Sequence, residues 1–171
     1  MTYIRASIII LGLMSLSIGC GSGNKEVSDG AWLGFNEGME KAAKVDRPIV
    51  IDFYTSWCRW CKVMERETFS DPKVSDFLEK NFVAIRVNAE SRTEQLRYQG
   101  KTYTPVQLVR KFGLTAYPSL AYLESDGKLI AVVRGFKTSE VFLPTLKYFK
   151  EGCYRNGVSL EGYLRNGECG Q

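Results

Sequence analysis

The sequence has no histidine and only one Cys-x-x-Cys, although it carries five cysteines in 171 residues. A structural zinc takes four ligands, so a metal bound at Cys58 and Cys61 would have to recruit Cys153 and Cys169 across an unusual spacing. Internal repeats of solenoid length and low-complexity tracts are also missing. A dominant charge sign is lacking: the formal net charge is +4, with acids and bases interspersed, so nothing marks a nucleic-acid partner. The apolar stretch Ile8 to Ile18 is broken by Gly12, Ser15 and Ser17 and is too short to span a bilayer comfortably.

What is present fits one domain with additions, since 44% apolar residues are enough to form a core. Residues 1–19 read as a signal segment, with Arg5 as its positive start and Ile8 to Ile18 as its apolar centre. Leu16-Ser17-Ile18-Gly19-Cys20 resembles a bacterial lipoprotein signal, which implies lipidation of Cys20 and a membrane anchor; Ser17 departs from the aliphatic residue usual at its place. Ordinary cleavage near Gly19 and an uncleaved anchor are the alternatives, and all three export the domain. Residues 20–30 have the composition of a flexible tether. The folded domain is expected over 31–150, followed by an extension over 151–171.

The informative stretch is Trp57-Cys58-Arg59-Trp60-Cys61-Lys62, directly after the apolar run Ile49 to Tyr54. Two cysteines three positions apart share one helix face and can close a disulfide when the first sits at the helix start. There the helix dipole favours thiolate, and Arg59 adds positive charge beside it. Cys58 is therefore the candidate nucleophile and Cys61 the candidate resolving thiol in thiol–disulfide exchange. Asp52 interrupts a strand that is otherwise apolar, and a carboxyl so placed has a partner or a function. Its bland alternative is an edge position facing water. Glu65, four residues after Cys61, shares that helix face, unless it is an ordinary solvent-facing glutamate.

Residues 52–62, with the continuation Met64 to Val74, resemble the active-site region of the thioredoxin superfamily. They are particularly similar to the C-terminal periplasmic domain of DsbD-type disulfide reductases and to secreted sulfur-oxidation thioredoxins. The resemblance runs from about Trp32 to Phe149 and implies an α/β thioredoxin-like fold, a mixed central sheet with helices on both faces. It implies that Asp52 accepts the proton of the resolving thiol and that Glu65 is a second acid raising the thiol pKa values. It also implies a cis bond before Pro118 and a groove in which Tyr117 and Gly135, with Trp57, Arg59 and Trp60 around the motif, meet an extended substrate; the alternatives are a proline that simply opens a strand and a plain turn glycine. No cofactor is implied beyond the redox disulfide itself.

Elsewhere, helices are expected over Ala31 to Lys44, from Asp71-Pro72 to Asn81, from Thr104-Pro105 to Gly113 and over Ser139 to Lys150, which Pro144 should bend or shorten. Strands are expected at Phe82 to Val87, Leu120 to Leu123 and Leu129 to Val133, the last two joined by the Asp126-Gly127 turn. Residues 91–104 read as a solvated surface insertion, with a substrate-selecting loop as the alternative. Cys153 and Cys169 are expected to form a structural disulfide, with a second redox pair feeding Cys58 as the alternative. The functional expectation is a reductase of protein disulfides on the periplasmic side of a bacterial envelope, resupplied by a DsbD-type membrane electron donor. It rests on Trp60 standing where strong oxidants often keep histidine, and on two acids that disfavour thiolate. A peptide-binding or chaperone-like lipoprotein without turnover is the alternative of a different class, and a peroxidase is disfavoured by the intact cysteine pair.

Overall fold

The computed structural model describes residues 32–169. The expected signal, the tether and Cys20 lie outside the described residues. In chain order the elements are β1 (Trp32–Leu33), α1 (Phe35–Val45), β2 (Ile49–Tyr54), α2 (Arg59–Met64), α3 (Pro72–Asn81), β3 (Val83–Asn88), β4 (Leu96–Tyr98), β5 (Lys101–Tyr103), α4 (Pro105–Lys111), β6 (Ser119–Leu123), β7 (Leu129–Arg134), α5 (Ser139–Glu151) and α6 (Leu160–Asn166). Between α2 and α3 the helix widens into a π turn at Glu65–Phe69, and a 3-10 turn at Cys153–Asn156 follows α5.

Five strands form one sheet in the order β1-β3-β2-β6-β7, and β4 pairs with β5 as a separate hairpin. β1 and β2 run parallel to β3, whereas β6 is antiparallel to both β2 and β7. This is the expected mixed sheet with helices on both faces. Side chains alternate along a strand, so β2 sends Ile49, Ile51 and Phe53 to one face and Val50 and Asp52 to the other. The first face packs on Phe35 and Ala42 of α1, Leu108 of α4 and Leu96 and Tyr98 of the hairpin. The second packs on Met64, Val74, Leu78, Phe142 and Leu146 from α2, α3 and α5.

Local chemistry sets several boundaries. Asp71 accepts from the amides of Lys73 and Val74 and so opens α3 with Pro72 at its first position. Thr104 and Gln107 form a reciprocal capping box ahead of Pro105. Gly127, at φ 85, supplies the left-handed residue of the β6–β7 turn.

Three expectations need correction. Trp32 is not helical: with Leu33 it makes a short edge strand on β3, and the helix starts only after Gly34. The segment 91–104 is not a plain solvated insertion, because Leu96 and Tyr98 alternate inward and are buried against Phe35 and Phe112. Val141 is exposed instead of facing inward on α5, which runs from Ser139 to Glu151 with Pro144 inside it.

The tail is also more than a stapled loop. Tyr163 of α6 is buried against Tyr148, whose hydroxyl donates to the Val158 carbonyl, and Tyr154 donates to Glu124. Cys153, fully buried, is bonded to Cys169 across a sequence separation of 16. Cys153→Ser together with Cys169→Ser is expected to lower the unfolding free energy by about 3 kcal/mol in the loop-entropy model. Urea unfolding with the Cys58–Cys61 pair kept oxidised measures it, and an unchanged midpoint would mean that the aromatic packing alone holds the tail.

Candidate active site

β2 ends at Tyr54, and the chain turns through Thr55, Ser56 and Trp57 so that Cys58 becomes the N-cap of α2. The turn is closed by the Cys58 amide donating to the Thr55 carbonyl at 3.2 Å. Cys58 Sγ accepts the Cys61 amide at 3.1 Å, in the place where a capping oxygen usually sits. The two cysteines are joined as a disulfide with a Cα separation of 5.3 Å. Exposure does not tell them apart, at 4% for Cys58 and 3% for Cys61. Electrostatics does, because among the described residues only Cys58 Sγ receives a helix amide, which would stabilise its thiolate after reduction.

Asp52 is buried on β2, and one of its oxygens, Oδ1, has no hydrogen-bond partner among the described residues. Its register partner across the parallel ladder is Arg86 of β3. Arg86 Nε stands 3.3 Å from Asp52 Oδ2, while its two terminal nitrogens hold Glu65 in a bidentate grip at 2.7 and 2.9 Å. The guanidinium also lies over the Tyr54 ring, 4.6 Å from its centroid. Burial pushes Asp52 up to about 7, and the Arg86 charge only partly opposes it. Glu65 goes the other way, held below the usual glutamate range by its hydrogen bonds to Arg86. A cleft of about 240 Å³ lined by Tyr54, Thr55, Ser56, Cys61, Lys62, Glu65 and Arg86 opens on this group. Sequence reasoning anticipated both acids and overlooked Arg86. The available signal was one arginine inside the apolar strand Val83 to Val87, matching the one aspartate inside β2.

A second face of the motif is aromatic. Trp57 and Trp60 are 67% and 56% exposed, unusual for indoles in a globular protein. Trp57 meets the Tyr117 ring edge-on at 6.1 Å, and Trp60 meets Phe136 at 5.2 Å. The Tyr117–Pro118 bond is cis. Gly135, at φ 80, donates its amide to the Pro118 carbonyl, which ties the end of β7 to the start of β6. Trp57 and Trp60 belong to the motif itself, Trp60 shares a groove with Tyr117 and Gly135, Pro118 follows Tyr117 across the cis bond, and Arg59 is exposed. Glu90 was not anticipated. Its carboxylate accepts from the Ser56 amide, the Ser56 hydroxyl and the Trp57 indole at 2.8 to 2.9 Å, fixing the approach to Cys58. Those three bonds pull Glu90 below the usual glutamate range.

The tail pair is elsewhere. Phe136, beside Trp60, precedes α5, and Cys153 follows the other end of that 13-residue helix, about 20 Å away at 1.5 Å per residue. Glu151 Oε2 lies 3.8 Å from Cys153 Sγ and 3.4 Å from Cys169 Sγ. Direct exchange between the two disulfides within this arrangement would have to cross the length of α5. The two pairs are likewise too far apart to converge as four ligands on one metal ion.

A family model described as a thioredoxin-like domain matches residues 35–150. Among characterised proteins, the chain is similar to the thiol:disulfide interchange protein DsbD of Ralstonia nicotianae, 30% identical over 114 residues. That match covers 66% of this chain but 17% of DsbD, so the likeness concerns one part of a much longer protein. A thioredoxin-fold protein from Helicobacter pylori superposes with a TM-score of 0.64 over 81% of this chain and 89% of its own, at 17% identity, a likeness of fold. A putative disulphide-isomerase from Bacteroides thetaiotaomicron superposes with a TM-score of 0.55 at 27% identity, covering 68% of this chain and 88% of its own. Among the described residues, no helix is long and apolar enough to cross a membrane.

The raised Asp52 makes a stability prediction with a definite sign. Its folded value of about 7 lies above its ordinary 3.8, so the folded state binds the proton more tightly, and stability declines as pH rises from about 4 through 7. Asp52→Asn removes that dependence while leaving Arg86 engaged by Glu65. The variant is expected to exceed the wild type by about 2–4 kcal/mol at pH 8 and by little at pH 4. Denaturant unfolding of the oxidised proteins at both pH values checks this, and a constant difference would exclude Asp52 as the titrating group.

Proposed function

The chain belongs to the thioredoxin-like family of disulfide oxidoreductases, and from that premise we propose that it is an exported reductase of protein disulfides. The observation that carries the reading is the Cys58–Cys61 pair at the start of α2, with the Cys61 amide on Cys58 Sγ. In the reduced protein the Cys58 thiolate attacks one sulfur of a substrate disulfide. The substrate S–S bond breaks, its leaving sulfur takes a proton, and a mixed disulfide forms on Cys58. Cys61 then loses its proton to Asp52, attacks Cys58 Sγ and releases the second substrate thiol. Two electrons have passed to the substrate, and the protein is left with the Cys58–Cys61 disulfide.

Asp52 suits the second step because it is buried, retains an unpartnered oxygen and titrates near neutrality. Direction is supported by Trp60 between the cysteines and by the acidic group behind them. Arg86 compensates Glu65, so Asp52 is the acid that most disfavours a second anion nearby. The reading needs no cofactor beyond the two sulfurs.

A reductase in an oxidising compartment needs resupply. Its chemistry requires a dithiol donor, and the similarity to DsbD supports a membrane electron donor of that type, with protein disulfides as the substrates. The signal-like residues 1–19 and Cys20 support a place on the periplasmic side of a bacterial envelope, held by a lipid anchor.

Insulin reduction driven by dithiothreitol tests the reading. The wild type should act well above the uncatalysed rate, and Cys58→Ser should return to that rate. Cys61→Ser should accumulate mixed disulfides through Cys58, visible on non-reducing gels and removed by dithiothreitol. Asp52→Asn should slow resolution at least about tenfold at pH 8 and remove the rise in rate through pH 7. An inactive wild type whose reduced Cys58 resists alkylation would instead favour a groove that binds peptides without turnover.

A further inference from the structure

The loop between β7 and α5 is held in an uncommon way. Lys137 turns its ammonium back onto its own segment and donates to the carbonyls of Arg134, Gly135 and Phe136 at 2.7, 3.2 and 3.3 Å. An ammonium has three donors, and all three are used on three successive backbone acceptors. The same loop is fastened at two further points. Gly135 donates to the Pro118 carbonyl, and Thr68 of the π turn donates its hydroxyl to the Lys137 carbonyl at 2.7 Å. Lys137 is half-buried, and that burial pulls its pKa down. A surface lysine ordinarily stays in solvent with a free head.

What this fastening presents is Phe136. Its ring faces Trp60, and together with Tyr117 and Gly135 the two rings line a groove of about 190 Å³. The groove adjoins the cysteine motif through Trp60, which lies between the two cysteines in the chain, and the cis proline through Tyr117, which precedes it. The lining offers no charged side chain. The lining therefore suits an apolar side chain, and Trp60 sets that position beside the cysteine pair.

The geometry points to Lys137 as a positioning residue that holds Phe136 against Trp60, so that the groove selects protein disulfides whose cysteine is flanked by a bulky apolar side chain. This inference rests on the proposed reductase reading. Lys137 itself touches neither the disulfide nor the apolar occupant. Removing its ammonium releases three carbonyls and lets the loop relax, which lowers complementarity for the apolar neighbour without altering the sulfur chemistry.

The test uses two synthetic peptides that differ only beside the cysteine of a disulfide, one carrying Phe and one Ser, with turnover driven by dithiothreitol. The wild type should show a KM for the Phe peptide about tenfold below that for the Ser peptide at similar kcat, the size expected for one well-packed apolar group. Lys137→Met should bring the two KM values within about twofold by raising that of the Phe peptide, and Lys137→Arg should restore most of the preference. Phe136→Ala should likewise abolish it with Lys137 intact, which keeps the idea testable if the methionine variant folds poorly. Equal KM values in the wild type, or an unchanged preference in Lys137→Met, would overturn the assignment. If the wild type reduces neither peptide nor the small hydroxyethyl disulfide, the reductase reading itself has failed, an outcome distinct from reduction of both peptides without preference.

Discussion

A charged carboxylate inside a sheet must find a counter-charge or take up a proton, and Asp52 does some of each. Arg86 stands opposite it on the neighbouring strand, yet most of the guanidinium's hydrogen bonding goes to Glu65. One cation thus ties β2, β3 and the π turn after α2 together, and it leaves Asp52 only partly compensated. The turn that carries Cys58 grows from the end of β2, and the helix that carries Cys61 runs on into the turn that carries Glu65. Strand register therefore fixes where the sulfurs stand relative to the acids. The cysteine pair and the buried carboxyl come from one short piece of chain, braced from outside by Arg86.

The groove follows the same logic. Two exposed indoles would be free to reorient if packing alone held them. Instead Glu90 hydrogen-bonds the Trp57 side from the end of β3, and the loop after β7 is set against Trp60 by bonds among its own polar groups. Charged side chains supply the rigidity while apolar rings supply an exposed surface.

The parts of this arrangement that were legible in the sequence are those governed by neighbours in the chain. The apolar run ending in the cysteine pair, the Asp71-Pro72 and Thr104-Pro105 starts and the Asp126-Gly127 turn each act within a few residues, and each stands where expected. Trp32 misled because its spacing to Phe35 and Met39 suits a helix, whereas its actual partner, Ala84, is far along the chain. Tyr98 was overlooked because the polar residues around it hide a two-residue alternation with Leu96. Arg86, Glu90 and Lys137 share a different obstacle. A charged residue in a one-dimensional string reads as solvated by default, and only strand pairing and loop closure show that these three face acceptors or donors of the protein itself.

Four cysteines admit three pairings, and a protein that breaks and remakes one disulfide continually runs the hazard of shuffling the other. Here Cys153 is sealed in the aromatic packing of the tail, a helix length from the reactive sulfurs, with the Glu151 carboxylate beside its bond. Its partner Cys169 is only partly buried, with the same carboxylate 3.4 Å from its Sγ, so an attacking thiolate would meet like charge there. Distance and the burial of one sulfur thereby set the two bonds apart, which favours a single isomer of the tail pair whatever happens at the other.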